Sequence, residues 1–189
     1  MAEKVGLLKE NKIPAIILAG GKSSRFGKDK SRLKLTNKSL TYHQYKKLQK
    51  VFKKVYISSK KNKFDFQAPI IYDKQKEHLP ILTLINLIQK FHIIFVIPVD
   101  VPLISIYSIK KLLKHKTITH SFLGIYDHKD LKKLKQNIKN NNFSPKIGKI
   151  TINLKKEELI NLNYKTEYKK YKQKIKVSYA KSIYYRDRA

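Results

Sequence analysis

The chain has 189 residues and a formal net charge of +30, because 43 Lys and Arg residues face only 13 Asp and Glu residues. Its length is that of one domain. The chain contains no cysteine, which excludes disulfides, thiolate zinc sites, iron–sulfur clusters and a cysteine nucleophile. No apolar stretch approaches the ~20 residues that a membrane helix needs, and the first residues lack the apolar core of a signal peptide. We therefore expect a cytoplasmic protein with no membrane association.

The positive charge is carried almost entirely by lysine. A pI near 10 is typical of nucleic-acid-binding proteins, but only four of the basic residues are arginine, at positions 25, 32, 186 and 188. Base readout and bidentate phosphate binding favour arginine. The composition thus favours an ordinary lysine-rich surface, and a lysine-rich nucleic-acid-binding protein remains the alternative from another functional class.

Short apolar runs alternate with amphipathic segments along the chain. The pattern predicts strands at residues 13–18, 55–58, 70–72, 93–99, 118–126 and 149–154. It predicts helices at 41–54, 81–91, 105–115 and 129–138, with Ser105 and Asp127 as N-caps of the last two. This alternation predicts a three-layer, Rossmann-like α/β fold, with a mostly parallel central sheet and helices on both faces.

The C-terminal segment differs in composition from the rest. Residues 164–189 contain six of the 12 tyrosines, nine basic residues and two acidic ones. We expect the main domain to span residues 1–174 and a basic, Tyr-rich tail or edge strand to span 175–189. The segment could form a packed helix and edge strand or a partly ordered tail, and the composition does not separate the two.

A glycine-rich segment follows the first predicted strand directly, with the sequence LAGGKSSRFGKDK at residues 18–30. Glycines let the backbone turn sharply and approach a ligand closely, and exposed N–H groups of such a loop can hold phosphate oxygens. Arg25 and Lys30 add positive charge. The spacing matches neither a Walker A loop nor the dinucleotide-binding G-x-G-x-x-G, so a loop that only turns the chain is the alternative.

A second signal is Asp100, which lies between Pro98 and Pro102 after the predicted strand at 93–99. A carboxylate there sits at the edge of the sheet where open α/β folds bind ligands. One carboxylate beside a phosphate loop suits Mg²⁺, since phosphates and water complete its octahedron. The alternative, Asp100 as a helix N-cap, is weakened because Ser105 can cap the next helix.

The segment 18–30 matches the signature L-A-G-G-x-S-x-R-x-G-x-D-K of a nucleotidyltransferase family. Over residues 13–168 the chain most resembles the molybdenum cofactor guanylyltransferases, and the segment around Asp100 resembles their D-x-P metal motif. The resemblance implies a Mg²⁺-dependent enzyme that transfers GMP from GTP to molybdopterin and releases pyrophosphate. It also implies transient contacts with proteins of cofactor biosynthesis or with molybdoenzymes.

The resemblance also implies roles for particular residues. Arg25, Lys30 and Asp100 would be catalytic, and Asp100 would bind the metal. The nucleotide-binding residues would be Leu18, Ala19, Gly20, Gly21, Lys30, Ser58, Asp73 and Asp100.

Weaker matches and departures bear on the second substrate. Residues 119–121 resemble the family's H-P-T strand with Ser in place of Pro, and residues 161–163 resemble its N-x-N-x-P motif without the proline. The family's G-P-L-x-G run is replaced by residues 79–83, which contain no glycine. A related enzyme that uses CTP or a sugar-phosphate acceptor therefore stays an alternative.

Overall fold

The computed structural model describes residues 12–20, 29–35, 37–75, 77, 79–118, 122–148, 152 and 154–184, without the side chains of 181–184. Within these residues the chain forms a five-stranded sheet in the order β3-β2-β1-β4-β5. The strands are β1 (Ala15–Leu18), β2 (Val55–Ser59), β3 (Ile70–Tyr72), β4 (Ile93–Pro98) and β5 (Gly124–Asp127).

The sheet is mostly parallel, as predicted. The central strand β1 pairs in parallel with β2 and β4, and β2 pairs in parallel with β3. Only β5, at one edge, runs antiparallel to its neighbour β4. The carboxyl ends of β1 to β4 therefore meet at the same edge of the sheet.

Helices cover both faces of the sheet. They are α1 (Leu40–Leu48), α2 (Pro80–Phe91), α3 (Ile106–His115), α4 (Leu131–Lys139) and α5 (Lys165–Tyr184). Ile17 of β1 packs with α1 and α3 on one face, and Ile16 packs with α2 and α4 on the other. This alternation follows from the two-residue period of a strand and confirms the predicted three-layer arrangement.

Both predicted N-caps are confirmed. Ser105 Oγ accepts a hydrogen bond from the N–H of Ser108 and begins α3. Asp127 accepts from the N–H of Lys129 and caps a short 3₁₀ turn, His128–Asp130, that leads into α4. Such short-range capping is readable from sequence because it needs only neighbouring residues.

The predicted strand at 118–126 is wrong in its extent. Ile118 forms an isolated antiparallel bridge with Gly124, and β5 begins only there. The φ angles of Phe122 (65°) and Gly124 (146°) are positive. A β-carbon on Gly124 would lie 2.4 Å from the Cα of Ile118, so the close approach of the two backbones requires glycine.

Two further predictions differ from the structure or fall outside it. The helix predicted at 41–54 ends at Leu48, after which i−3 hydrogen bonds by the N–H groups of Lys50 and Val51 tighten the chain into a turn. The strand predicted at 149–154 falls largely on residues outside the described part. Ile152 and Leu154, which are described, belong to no strand.

The C-terminal segment forms the long helix α5, which continues past Lys174, where the sequence predicted the end of the main domain. Ile175 and Tyr179 lie on its inner face and are buried against Leu35, Leu40 and Leu162. The helix extends across residue 174 because its apolar side chains reach a cluster formed by the rest of the chain. Among the helices described, none is both long and apolar enough to cross a membrane.

Candidate active site

The two central strands end side by side, with Leu18 of β1 paired with Pro98 of β4. A cavity of about 320 Å³ opens at this edge, where open α/β sheets bind ligands. Seven of the residues predicted from the sequence line it: Leu18, Ala19, Gly20, Lys30, Ser58, Asp73 and Asp100. The fold thus gathers segments that are far apart in the sequence.

Lys30 and Asp100 face each other in this cavity. Lys30 is the last residue of the glycine-rich segment and begins a 3₁₀ turn, and Asp100 lies in the turn after β4. Lys30 Nζ donates hydrogen bonds to Asp100 Oδ2 at 3.3 Å and to Asn163 Oδ1 at 3.0 Å. Because Ser105 caps α3, Asp100 is not a helix cap and its carboxylate faces the cavity.

The segment before α5 completes this arrangement. The N–H of Leu162 donates to the backbone oxygen of Asp100 at 2.9 Å. Glu167 accepts from the N–H groups of Asn163 and Tyr164, so α5 begins with its own side-chain cap. Asn161 lines the cavity, and among the described residues its buried Oδ1 has no hydrogen-bond partner. The weak resemblance at 161–163 therefore falls on residues that do lie in the site.

Asp73 lies on the opposite side of the cavity, directly after β3. Its Oδ1 accepts from the N–H of Gln75, and its Oδ2 accepts from Thr83 Oγ1 at 2.8 Å. A β-carbon on Gly20 would lie 4.0 Å from that Oδ2. Asp73 thus stabilises the turn after β3 and also faces the glycine-rich segment.

The residues that replace the family's G-P-L-x-G run also line the cavity: Leu79, Pro80 and Thr83. The apolar side chain of Leu79 and the side chain of Thr83 occupy a wall where the family pattern has glycines. This wall belongs to the start of α2, whose first residue is Pro80.

The backbone from Leu18 to Gly20 is held by both neighbouring strands. Leu18 O accepts from Val99 N–H, and Ala19 N–H donates to Ser58 O at 2.9 Å. The buried Ser58 therefore contributes its backbone to the site as well as its place in the lining. Since the N–H of Ala19 is used within the sheet, the N–H groups available to a ligand begin at Gly20.

Lys63 is a site residue that the sequence analysis missed. Its Nζ donates to Ala19 O at 3.0 Å and forms an ion pair with Asp29 Oδ2 at 2.5 Å. These partners flank residues 20–28, so Lys63 joins the two ends of the glycine-rich segment. No local signal marks it, because Lys63 is one of several lysines in a polar stretch after β2.

The pKa of Asp29 reflects these contacts. Burial acts to raise it, but hydrogen bonds from Lys63 and Ser31 and the charge of Lys63 outweigh that effect, so the pKa of Asp29 lies below its usual value. Asp29 also caps the turn that carries Lys30 by accepting from the N–H of Ser31. The ionised form of Asp29 is therefore the form that this corner of the site stabilises.

Helix α1 supports the site from below with buried polar side chains that the sequence analysis also missed. Thr41 Oγ1 donates to Ser31 O, Gln44 Nε2 donates to two carbonyls around Asp100, and Lys47 Nζ donates to two more. Burial lowers the pKa of Lys47 to about 7, although nearby Glu158 acts in the opposite direction. Thr41, Gln44 and Lys47 follow one another at intervals of three residues, which places them on one face of the helix. This spacing is the sequence signal that could have indicated them.

Several predicted residues lie outside the described part of the chain. These are Gly21 and Arg25, with the rest of 21–28, and the segment 119–121. Their roles stay predictions from the sequence.

Three of the six tyrosines of residues 164–189 make contacts within the protein. Tyr179 is buried, and Tyr168 Oη donates to Lys34 O at 2.6 Å. Tyr168 and Tyr171 pack against the cluster beneath α5. Stacking requires open aromatic faces, so these three tyrosines offer a poor platform for bases, whereas Tyr164 is exposed.

The chain is similar to known proteins in both sequence and fold. A family model described as the MobA-like NTP transferase domain matches residues 15–129. A molybdenum cofactor guanylyltransferase of Campylobacter jejuni (strain RM1221) is 34% identical over 190 residues, covering 88% of this chain and 98% of the relative. One from Helicobacter pylori (strain ATCC 700392 / 26695) is 34% identical, covering 82% and 90%.

Solved structures agree on the architecture. A putative protein from Aquifex aeolicus VF5 is 28% identical with a TM-score of 0.65, covering 79% of this chain and 93% of its own. Molybdopterin-guanine dinucleotide biosynthesis protein A from Archaeoglobus fulgidus, at 16% identity and a TM-score of 0.67, covers 87% of this chain and all of its own. The latter similarity supports the fold alone.

A mostly parallel sheet with a glycine-rich segment after its first strand, together with these relatives, makes this chain an α/β nucleotidyltransferase. The chain belongs to the family of MobA-like NTP transferases.

Proposed function

We propose that this chain transfers GMP from GTP to the phosphate of molybdopterin and releases pyrophosphate. The observation that carries the proposal is the convergence of Lys30, Asp100 and Asn163 at the carboxyl edge of the sheet. The names of the relatives from Campylobacter jejuni and Helicobacter pylori support this choice of nucleotide and acceptor.

In this reaction a phosphate oxygen of the acceptor attacks the α-phosphorus of GTP. The new P–O bond forms as the bond from the α-phosphorus to the bridging oxygen breaks, and pyrophosphate leaves with that electron pair. The attacking oxygen is already ionised at neutral pH, so the enzyme needs no serine, cysteine or histidine nucleophile. Catalysis then consists of holding the two phosphates in line and compensating their charge.

The residues of the site divide this work. The ammonium group of Lys30 would bind the triphosphate, together with the N–H groups of Gly20 and Gly21 and the guanidinium of Arg25. Asp73 would accept a hydrogen bond from the nucleoside. Leu18, Ala19 and Ser58 would line the nucleotide, which agrees with their place around the cavity.

Mg²⁺ would be held by Asp100. Among the described residues, no cluster of three His, Cys, Asp or Glu side chains could hold a metal without help, but Mg²⁺ is commonly bound by one or two carboxylates together with substrate phosphates and water. Asp100 fits that pattern, since its carboxylate lines the cavity beside a cation suited to phosphate. When bound, the metal would neutralise charge on the phosphates during the transfer.

The acceptor would lie between the segment 161–163 and the start of α2. Asn161 lines one side of the cavity there, and Leu79 and Thr83 line the other. Because both substrates are intracellular metabolites, the proposal includes a cytoplasmic location and transient contacts with proteins of cofactor biosynthesis or with molybdoenzymes.

Pyrophosphate release with GTP, CTP or UTP, each with Mg²⁺ and molybdopterin, tests the proposal. We expect GTP to support a rate at least about tenfold above CTP and UTP, as a few base-specific hydrogen bonds provide. Product analysis should show the guanine dinucleotide form of the cofactor. If turnover is faster with CTP than with GTP, CTP is the nucleotide substrate and the proposal is wrong on this point.

Two further measurements test the acceptor substrate and the alternative that the chain is a nucleic-acid-binding protein. Turnover of GTP with a sugar phosphate but not with molybdopterin would contradict the proposed acceptor. Tight binding of a single-stranded oligonucleotide at ~0.2 M salt, without any binding of GTP, would favour a nucleic-acid-binding protein and overturn the proposal.

A further inference from the structure

Helix α1 carries two long polar side chains that are fully enclosed by the protein. Gln44 and Lys47 have exposed fractions of 0% and 1%. They are three residues apart and therefore share one face of the helix. Buried polar groups of this size are costly unless they are hydrogen-bonded. The Nε2 and Nζ groups make such bonds, whereas the Oε1 of Gln44 has no partner among the described residues.

Both side chains donate to the same short stretch of backbone. Gln44 Nε2 lies 3.2 Å from Pro98 O and 3.2 Å from Val101 O. Lys47 Nζ lies 2.9 Å from Pro102 O and 2.8 Å from Ile104 O. Four carbonyls of residues 98–104 are thus held from one helix, and Asp100 lies in the middle of this stretch.

Core packing of Val99, Val101 and Ile104 also holds this stretch, but its backbone makes few hydrogen bonds of its own. It leaves the sheet at Pro98, and prolines at 98 and 102 have no N–H to donate. Among the described residues, backbone hydrogen bonds from Val99 to Leu18, from Val101 to Pro98 and from Leu162 to Asp100 hold its first half. The buried side chains of α1 add donors to four carbonyls along the whole stretch, including those of Pro102 and Ile104 in its second half, and so help to satisfy backbone groups that are enclosed by the protein.

We infer that Gln44 and Lys47 are positioning residues that fix residues 98–104 so that the carboxylate of Asp100 faces the nucleotide and its metal ion. This inference rests on the proposed function, because it assigns Asp100 to the metal. Neither side chain lines the cavity, so both act through the backbone of the Asp100 turn and not on the substrate.

Lys47 also joins this turn to the C-terminal helix. Its Nζ lies 4.4 Å from the centroid of the Tyr179 ring, and the ring of His43 stacks on the same tyrosine with the two centroids 5.0 Å apart. Glu158, which acts on Lys47 through its charge, accepts from the N–H of Ser105 and from Ser108 Oγ at the start of α3. The same lysine therefore packs where α1, α5 and the Asp100 turn meet.

The test compares Gln44→Met and Lys47→Met, which keep length and remove the donors, with two controls on the same helix. Thr41→Val removes the hydrogen bond to Ser31 O, which is outside the Asp100 turn. Leu48→Ala removes core packing but no hydrogen bond to the turn, and it reports the effect of lost packing and stability.

The first readout is amide hydrogen exchange, which needs no activity. In Gln44→Met and Lys47→Met, the amides at 99–104 should exchange about tenfold faster relative to those of β4, as expected for a buried hydrogen bond lost. Leu48→Ala and Thr41→Val should leave that ratio near its wild-type value. Equal acceleration in Leu48→Ala would show that Gln44 and Lys47 contribute only general stability, and would overturn the inference.

The second readout is the Mg²⁺ concentration that gives half of the maximal rate of pyrophosphate release. It should rise about tenfold in the two donor variants, while Leu48→Ala keeps the wild-type value at the same folded fraction. An unchanged Mg²⁺ requirement in both donor variants would also overturn the inference. If the wild-type protein itself transfers no nucleotide, the proposed function fails, and the exchange ratio alone then decides whether the two residues hold the turn.

Discussion

The Nζ atom of Lys30 lies 3.3 Å from the Oδ2 atom of Asp100, although the two residues are 70 positions apart in the chain. The same Nζ reaches Asn163 Oδ1 at 3.0 Å. One ammonium group therefore joins the end of the glycine-rich segment, the turn after β4 and the start of α5. The triphosphate would meet this cation already held in place, which reduces the cost of ordering it on binding.

Asp100→Asn should lower the rate of nucleotide transfer by about 100-fold or more, because it removes the negative charge proposed to hold the metal. Asparagine has nearly the same volume, so thermal unfolding should stay close to that of the wild type. Glu157→Gln is the control, since Glu157 forms an exposed ion pair with Lys174. An Asp100→Asn rate within about threefold of the wild-type rate would remove Asp100 from the catalytic residues.

Lys30→Met should raise the KM for GTP by about tenfold or more, because the triphosphate loses a charge-assisted partner. It should also destabilise the protein by about 1–3 kcal/mol, since Asp100 and Asn163 lose a buried donor. Lys34→Met provides the matched control, because Lys34 is close in sequence but exposed. If initial-rate kinetics give Lys30→Met a wild-type KM and only its stability falls, Lys30 is structural.

Gly20→Ala and Gly20→Val should behave differently. A β-carbon on Gly20 would lie 3.8 to 4.0 Å from its nearest neighbours, Ser59, Ser58 and Asp73, which is ordinary contact. Alanine should therefore be tolerated, whereas the extra methyl groups of valine would fill space between Gly20 and Asp73 and weaken GTP binding. Calorimetric titration with GTP checks this, and equal affinity in both variants would show that the nucleotide does not pass between these two residues.

Lys63→Met should weaken GTP binding even though Lys63 belongs to no family motif. Its loss frees Asp29 and Ala19 O, which flank the glycine-rich segment. In a double-mutant cycle with Asp29→Asn, the coupling energy for unfolding should reach about 1 kcal/mol, as for a partly buried pair. Lys61→Met, on an exposed neighbour, serves as the control. If the effects of Lys63→Met and Asp29→Asn on the free energy of unfolding are additive, the two side chains do not stabilise each other.

The stability of the protein should depend on pH through Lys47. Burial lowers the pKa of Lys47 in the folded state to about 7, well below its ordinary value. Between these values the unfolded state holds the proton and the folded state does not, so the free energy of unfolding rises with pH in this range. Urea unfolding at pH about 7.5 and about 9.5 should show the wild type gaining stability relative to Lys47→Met. A difference that does not change with pH would mean that Lys47 keeps its ordinary pKa.

Much of the fold could be predicted because its signals are local. The apolar runs at β1 and β4 and the caps at Ser105 and Asp127 depend on residues within a few positions of each other. The strand predicted at 118–126 was wrong for the opposite reason. Its apolar residues fit a strand, but the close approach of Ile118 to Gly124 reverses the chain, and periodicity alone cannot report such an approach.

The sequence by itself predicted the glycine-rich segment and Asp100 as site residues, because a specific motif and the end of a buried strand mark them, and the family resemblance added Asp73. Gly20, Lys30, Asp73 and Asp100 do line one cavity. Only the tertiary structure decided which side chains support them. Lys63 has no local signal, and although Gln44 and Lys47 share one helix face, the roles of all three are shown only by contacts with carbonyls and carboxylates 34 to 57 positions away. In a chain with 43 basic residues, the neighbouring sequence does not distinguish a lysine that donates hydrogen bonds inside the protein from a lysine that is exposed to solvent. Burial and hydrogen-bond geometry, which arise when the layers pack, make the difference between them.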